Sequence, residues 1–143
     1  MPETPVSLIH PVPYYAQWES PDLVPDIIAG TLSAADDPLW QKSGAASPEE
    51  YAFWSWRLCG MACLRMALDH WRGSAPPAVT LPRPPHRGGH LVLAVGATAG
   101  HLLVHNPSGF PDGSQRFAEV PWGDLGRFYA GRGVLLGPGG PRS

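Results

Sequence analysis

Apolar residues recur at helical spacing in the first half of this chain and in short continuous runs in the second. Residues 1–19 read as extended, because Pro11 and Pro13 exclude helix and Val12, Tyr14 and Tyr15 favour strand. Ser20-Pro21-Asp22 opens a short helix, with Ser20 as N-cap and Pro21 at the first helical position, and Gly30 stops it. A second short start lies at Asp37-Pro38, leading into Leu39 and Trp40. The clearest start is Ser47-Pro48-Glu49-Glu50, where Ser47 caps and Glu50 completes a capping box. Tyr51, Trp54 and Leu58 follow at helical spacing. Met61, Leu64, Leu68 and Trp71 then predict an apolar stripe on a helix over about 59–72, ended by Gly73.

Residues 73–89 read as a Pro-rich connector closing on Gly88-Gly89. His90–Ala97 is a near-continuous apolar run, which predicts a buried strand. A turn at Thr98-Ala99-Gly100 and a strand over Leu102–His105 make it a hairpin, followed by a turn cluster at Asn106-Pro107-Ser108-Gly109. Phe117–Val120 predicts a third strand, Trp122–Tyr129 a short helix and Val134–Leu136 a last strand. Helices first and an antiparallel sheet afterwards make the fold class α+β, one domain over 1–137 with a flexible tail at 138–143.

Composition narrows the function classes. The 143 residues are 43% hydrophobic and 15% charged, too apolar for a disordered chain. The net charge is −2 and no basic run or stripe occurs, so neither a nucleic acid nor an anionic membrane is the expected partner. No apolar run is long enough to span a membrane and no secretory signal is evident, so a cytoplasmic protein is expected. With 17 Gly and 18 Pro, about a quarter of the chain, the domain is loop-rich.

Cys59 and Cys63 stand four apart, a spacing unsuited to an ordinary disulfide on a helix. Cys59 falls at the predicted start of a helix, where orphan N–H groups and the helix dipole favour a thiolate. Gly60 beside it leaves room for a carbonyl. The bland alternative is a buried small apolar residue. A thiolate nucleophile needs an imidazole partner, and His90 follows two glycines at a strand start. Counted outward from Ala99, His90 is nine residues back and Asn106 seven on, so the hairpin brings them near each other. The Asn106 oxygen can then orient the imidazole, in a Cys-His-Asn triad. Taken singly, His90 also fits a surface histidine and Asn106-Pro107 plain turn chemistry.

Four blocks occur in order: Tyr15-Ala16-Gln17-Trp18, then Trp56-Arg57-Leu58-Cys59-Gly60-Met61-Ala62-Cys63, then Gly88-Gly89-His90-Leu91-Val92-Leu93-Ala94-Val95-Gly96, then His105-Asn106-Pro107. Together they resemble the papain-like cysteine peptidases of the bacteriocin-processing type, family thirty-nine of the cysteine peptidases and its looser relatives. The resemblance covers roughly residues 10–110. It implies a papain-like fold, with the nucleophile at a helix N-terminus packed on a C-terminal sheet, and cleavage of a peptide or protein substrate without a cofactor. It also implies the roles: Cys59 as nucleophile, His90 as general base and acid, Asn106 as orienting residue. Gln17 would donate its amide to the oxyanion beside the Cys59 N–H. The sequence departs from the family in having Asn106 where Asp is usual, and in a Cys59-to-His90 separation of only 31 residues. A helix over 59–72 is about 20 Å long, and the roughly 18-residue return spans up to about 60 Å, so closure is geometrically open.

Two alternatives share this scaffold, a non-catalytic peptide-binding domain and a transglutaminase-like acyltransferase, since the triad does not distinguish hydrolysis from transfer. A metal site is disfavoured: His86 and His90, and His101 and His105, are four apart but not on helices. Gly88-Gly89 reads as backbone packing before a strand. Trp40, Trp54, Trp56, Trp71 and Trp122 are expected in the core or as cleft wall. Asp36-Asp37 and Glu49-Glu50 are expected as helix caps.

Overall fold

Proline, glycine and the caps divide the chain into elements close to those expected. A computed structural model describes residues 7–80, 89–109, 113–129, 131 and 133–137. Strand β1 is only Leu8–Ile9. Pro21–Leu23 forms a 3-10 turn running into α1, Val24–Ala29, which Gly30 ends in the left-handed conformation. Two further 3-10 turns, Ala34–Asp36 and Trp40–Ser43, lead to α2, Pro48–Ser55. Ser47 Oγ accepts the Glu50 N–H at 3.1 Å, and the Glu50 carboxylate reaches back to the Ala46 N–H at 2.7 Å. The reach of one residue beyond the cap still satisfies two orphan donors. Helix α3, Cys59–Arg72, ends at left-handed Gly73. Strands β2 (Leu93–Ala97), β3 (His101–His105) and β4 (Ala118–Pro121) follow, then α4, Trp122–Phe128.

The sheet is antiparallel in the order β1-β2-β3-β4, which makes the fold α+β. It is not wholly C-terminal, because the N-terminal Leu8–Ile9 pairs with Gly96 and Ala97 on its edge. Gly96 permits this: a Cβ there would lie 2.6 Å from the Leu8 carbonyl oxygen and 3.0 Å from the Ile9 Cα.

The structure corrects several expectations. Residues 10–16 form no strand, and residues 90–92 lie outside the ladder, with Leu91 and Val92 exposed. Residues 134–136 are also outside the sheet, and Val134 and Leu135 are almost fully exposed, 84% and 99%. Apolar content alone predicted strands there, but a strand requires a neighbour with free backbone groups. Residues 81–88 of the 73–89 connector and the 138–143 tail lie outside the described residues.

Helix α3 buries a different face from the expected stripe. Ala62, Cys63, Met66 and Ala67 are buried, while Leu64 and Leu68 are half-buried and Trp71 is exposed. This face meets the sheet, where Cys63 and Met66 pack with Val12, Val95 and Leu103. The larger side chains fall at the margin, and Met61 packs instead on a cluster of Leu58, Ala78 and Val79. Arg65, on the buried side, pairs with Glu19 at 3.2 Å and donates to the Pro76 carbonyl at 3.1 Å.

A second cluster lies among the first helices, around Trp18, Val24, Ile27 and Tyr51. Asp37 is buried in it and does more than cap. Its carboxylate accepts from Ser20 Oγ and Tyr51 Oη, each at 2.6 Å, and from the N–H groups of Ser20 and Leu39. Of the tryptophans, Trp18 is the fully buried one, and Trp40 and Trp54 are half-buried. Trp56, Trp71 and Trp122 are exposed, so none of these three belongs to the core.

Candidate active site

Four separate segments converge at the start of α3. Leu58, 2% exposed, anchors the chain in the cluster with Ala78 and Val79. Cys59 follows as the first residue of the helix and is half-buried. The Leu91 N–H donates to Cys59 Sγ at 3.5 Å. The Leu91 side chain lies over Gly60, whose added Cβ would meet Leu91 Cδ1 at 3.0 Å. A residue larger than glycine there would push against this wall.

His90 reaches both partners. Its Nε2–H donates to Asn106 Oδ1 at 2.7 Å, and its ring stands beside Cys59, close enough for each to shift the other's pKa. With Nε2 committed to Asn106, the other ring nitrogen, Nδ1, is the one left for sulfur. The hairpin makes this juxtaposition with an offset. Leu93 pairs with His105, while Ala97 pairs with Leu102, and Val95 is the extra residue between the two registers. The bulge advances β2 by one position, and the three extended residues before Leu93 carry His90 back over the Asn106 turn.

Asn106 is 8% exposed and held at every polar group. Its Oδ1 accepts from Ser108 N–H at 3.2 Å and Ser108 Oγ at 3.0 Å besides His90. Its Nδ2 donates to Ser114 Oγ at 3.0 Å. Its backbone N–H donates to the Gln115 carbonyl, and its carbonyl accepts from Tyr14 Oη at 2.7 Å.

Gln17 is also buried beside these segments. Its backbone N–H donates to the Pro107 carbonyl at 2.9 Å, and its Nε2 to the carbonyl of Ser55, four residues before Cys59, at 2.9 Å. One of its two amide hydrogens is therefore committed to holding the α2–α3 junction. Its Oε1 is buried with no hydrogen-bond partner among the described residues. Trp56 stands exposed next to this junction, its ring edge-on to Trp18 at 5.0 Å.

The electrostatics favour the charged pair. Burial opposes the Cys59 thiolate and is the strongest single influence on it. The His90 hydrogen bond, the Leu91 N–H, the His90 charge and the Gly60 N–H outweigh that and hold the thiol below its ordinary range. His90 is raised above the usual imidazole range, first by its hydrogen bond to Cys59, against burial, and further by Asn106 and the Cys59 charge. Cys63 behaves oppositely. Burial and the neighbouring Cys59 push it up to about 12, and its S–H faces the Leu91 carbonyl at 3.8 Å. One residue, Leu91, thus meets both sulfurs, its N–H at Cys59 and its carbonyl at Cys63.

His105 takes no part. It is completely buried, its Nδ1 accepts the Phe117 N–H at 3.1 Å, and its Nε2–H donates to the Val12 carbonyl at 2.7 Å. Burial holds it below the usual range, so it is a neutral structural residue. His86 lies outside the described residues, and among those described no three His, Cys, Asp or Glu residues converge. The surface concavity lined by Asp22, Gln115 and Arg116 includes neither Cys59 nor His90.

Leu91, Ser108 and Ser114 carry no chemical signal in the sequence pattern. Asn106-Pro107-Ser108 reads as a turn, and it is one: the Ser108 N–H to Oδ1 bond is an Asx turn, which the site uses at the same time. A comparison of the chain with known protein families, curated proteins and solved structures finds no match.

Proposed function

We propose that this domain is a papain-like cysteine peptidase, allied to the bacteriocin-processing type, that cleaves a peptide or protein substrate. The observation that carries the reading is the juxtaposition of Cys59, at a helix start, with His90, which is itself hydrogen-bonded to Asn106, three residues from separate parts of the sequence. The order of sequence blocks supports it independently.

In this reading the Cys59 thiolate attacks the scissile carbonyl carbon, forming a C–S bond and a tetrahedral oxyanion. The Cys59 N–H and the second Gln17 amide hydrogen stabilise that oxyanion. His90, protonated, gives its proton to the departing amine as the C–N bond breaks, leaving a thioester. It then takes a proton from water as the water oxygen attacks the thioester carbonyl; the C–S bond breaks, the acid is released and the thiolate–imidazolium pair returns. Asn106 keeps Nε2–H engaged, so that Nδ1 remains directed to the reacting atoms. No cofactor enters any step.

The test is turnover of a mixed fluorogenic peptide library by the wild-type protein and by Cys59→Ser and His90→Ala. Cleavage lost in both variants supports the proposal. Cleavage retained in Cys59→Ser refutes it, as does absence of cleavage together with Cys59 alkylation indistinguishable from that of Cys63.

A further inference from the structure

An amide is a polar-asymmetric orienting group. Asn106 serves His90 only if Oδ1, and not Nδ2, faces the imidazole N–H; the reversed amide sets donor against donor. A carboxylate has no such requirement, because both of its ends accept. The chain therefore needs a device that fixes the direction of the amide, and the turn after Asn106 contains one.

We propose that Ser108 and Ser114 are positioning residues of the candidate site, acting through Asn106 to orient His90. The two serines grip opposite ends of the amide. Ser108 supplies a backbone N–H at 3.2 Å and a hydroxyl at 3.0 Å to Oδ1. A backbone N–H only donates, so it dictates that oxygen lies on that side. Ser114 Oγ receives Nδ2 at 3.0 Å and fixes the amide plane. Both serines are only partly exposed, and Asn106 is 8% exposed, so water competes weakly for these bonds. The Tyr14 hydroxyl and the Gln115 carbonyl hold the Asn106 backbone, leaving the side-chain torsion to the serines.

The arrangement also tolerates the acid. With Asp at position 106, the Ser114 hydroxyl rotates to donate where it now accepts, and Ser108 donates as before. Ser114 is consequently needed for orientation in the Asn106 protein and dispensable for it in an Asn106→Asp protein.

This inference rests on the Cys59–His90 reading, and the experiment separates the two. Iodoacetamide alkylation of Cys59 is followed against pH in the wild type, Ser114→Ala, Ser114→Thr, Asn106→Asp, the Asn106→Asp/Ser114→Ala double variant and His90→Ala. Slow labelling of Cys63 reports an intact core. The expected result is a Ser114→Ala rate about two- to threefold lower on the acid side of the profile, restored by Ser114→Thr. In the double variant no such loss relative to Asn106→Asp occurs. Wild-type behaviour of Ser114→Ala overturns the proposal, and so does an equal loss in the Asn106→Asp background, which would mark a merely structural serine. If His90→Ala also leaves Cys59 unchanged, the parent reading falls with it.

Discussion

Replacing His90 by Ala removes the hydrogen bond and the charge that favour the Cys59 thiolate, and leaves in place the burial that opposes it. Only the N–H groups of Leu91 and Gly60 remain on the favourable side. The sign is therefore fixed: the thiol moves up from below its ordinary range, and thiolate is lost as pH falls sooner than in the wild type. A hydrogen bond to a charged group contributes about 1.5–3 kcal/mol. His90 is solvent-exposed, so screening places its share at the low end, about 1.5 kcal/mol. That is about a tenfold loss of thiolate at a fixed acidic pH. A more basic thiolate is also a better nucleophile, which returns about half of the effect on a logarithmic scale, so the net rate falls about threefold. The assay is the pseudo-first-order rate of iodoacetamide labelling, read site by site by peptide mass spectrometry across pH about 5 to 9. Cys63, held up to about 12, is the internal reference and stays slow throughout. A His90→Ala profile superimposed on the wild type refutes the coupling, and so does a wild-type Cys59 that tracks Cys63.

Three further outcomes follow from the same contacts. Asn106→Asp keeps all three donors to the orienting oxygen and adds a charge near His90, so it raises the imidazole further; a histidine titration followed by NMR that moves to lower pH contradicts this. Gly96→Ala drives a methyl into the Leu8 carbonyl and displaces β1, lowering stability by about 1–3 kcal/mol in urea unfolding; an unchanged midpoint contradicts the close pairing. Asp37→Ala strands the buried hydroxyls of Ser20 and Tyr51 and lowers stability by about 2–5 kcal/mol, whereas Ser20→Ala, losing one side-chain bond, lowers it by about 1–2 kcal/mol; equal losses contradict Asp37 as the shared acceptor.

The sequence by itself determined the local pieces. Ser47-Pro48-Glu49-Glu50, Gly30 and Gly73 set helix boundaries because caps and left-handed glycines act through neighbouring backbone groups. The turn before β3 and the Asn106 turn were legible for the same reason, and they were enough to predict that His90 and Asn106 meet. Cys59 at a helix start was equally readable. Tertiary structure decided the rest. The face that α3 buries depends on how closely a sheet approaches it, which the periodicity of Met61, Leu64, Leu68 and Trp71 does not contain. The exposed runs at Leu91-Val92 and Val134-Leu135 have apolar content without a ladder partner, and pairing is a property of two segments. Asp37 as an acceptor for Ser20 and Tyr51, and the Ser114 grip on Asn106, join residues whose separation along the chain carries no period. Hydrogen bonds of that kind are specified by where the backbone brings donors and acceptors together, so only the folded chain reveals them.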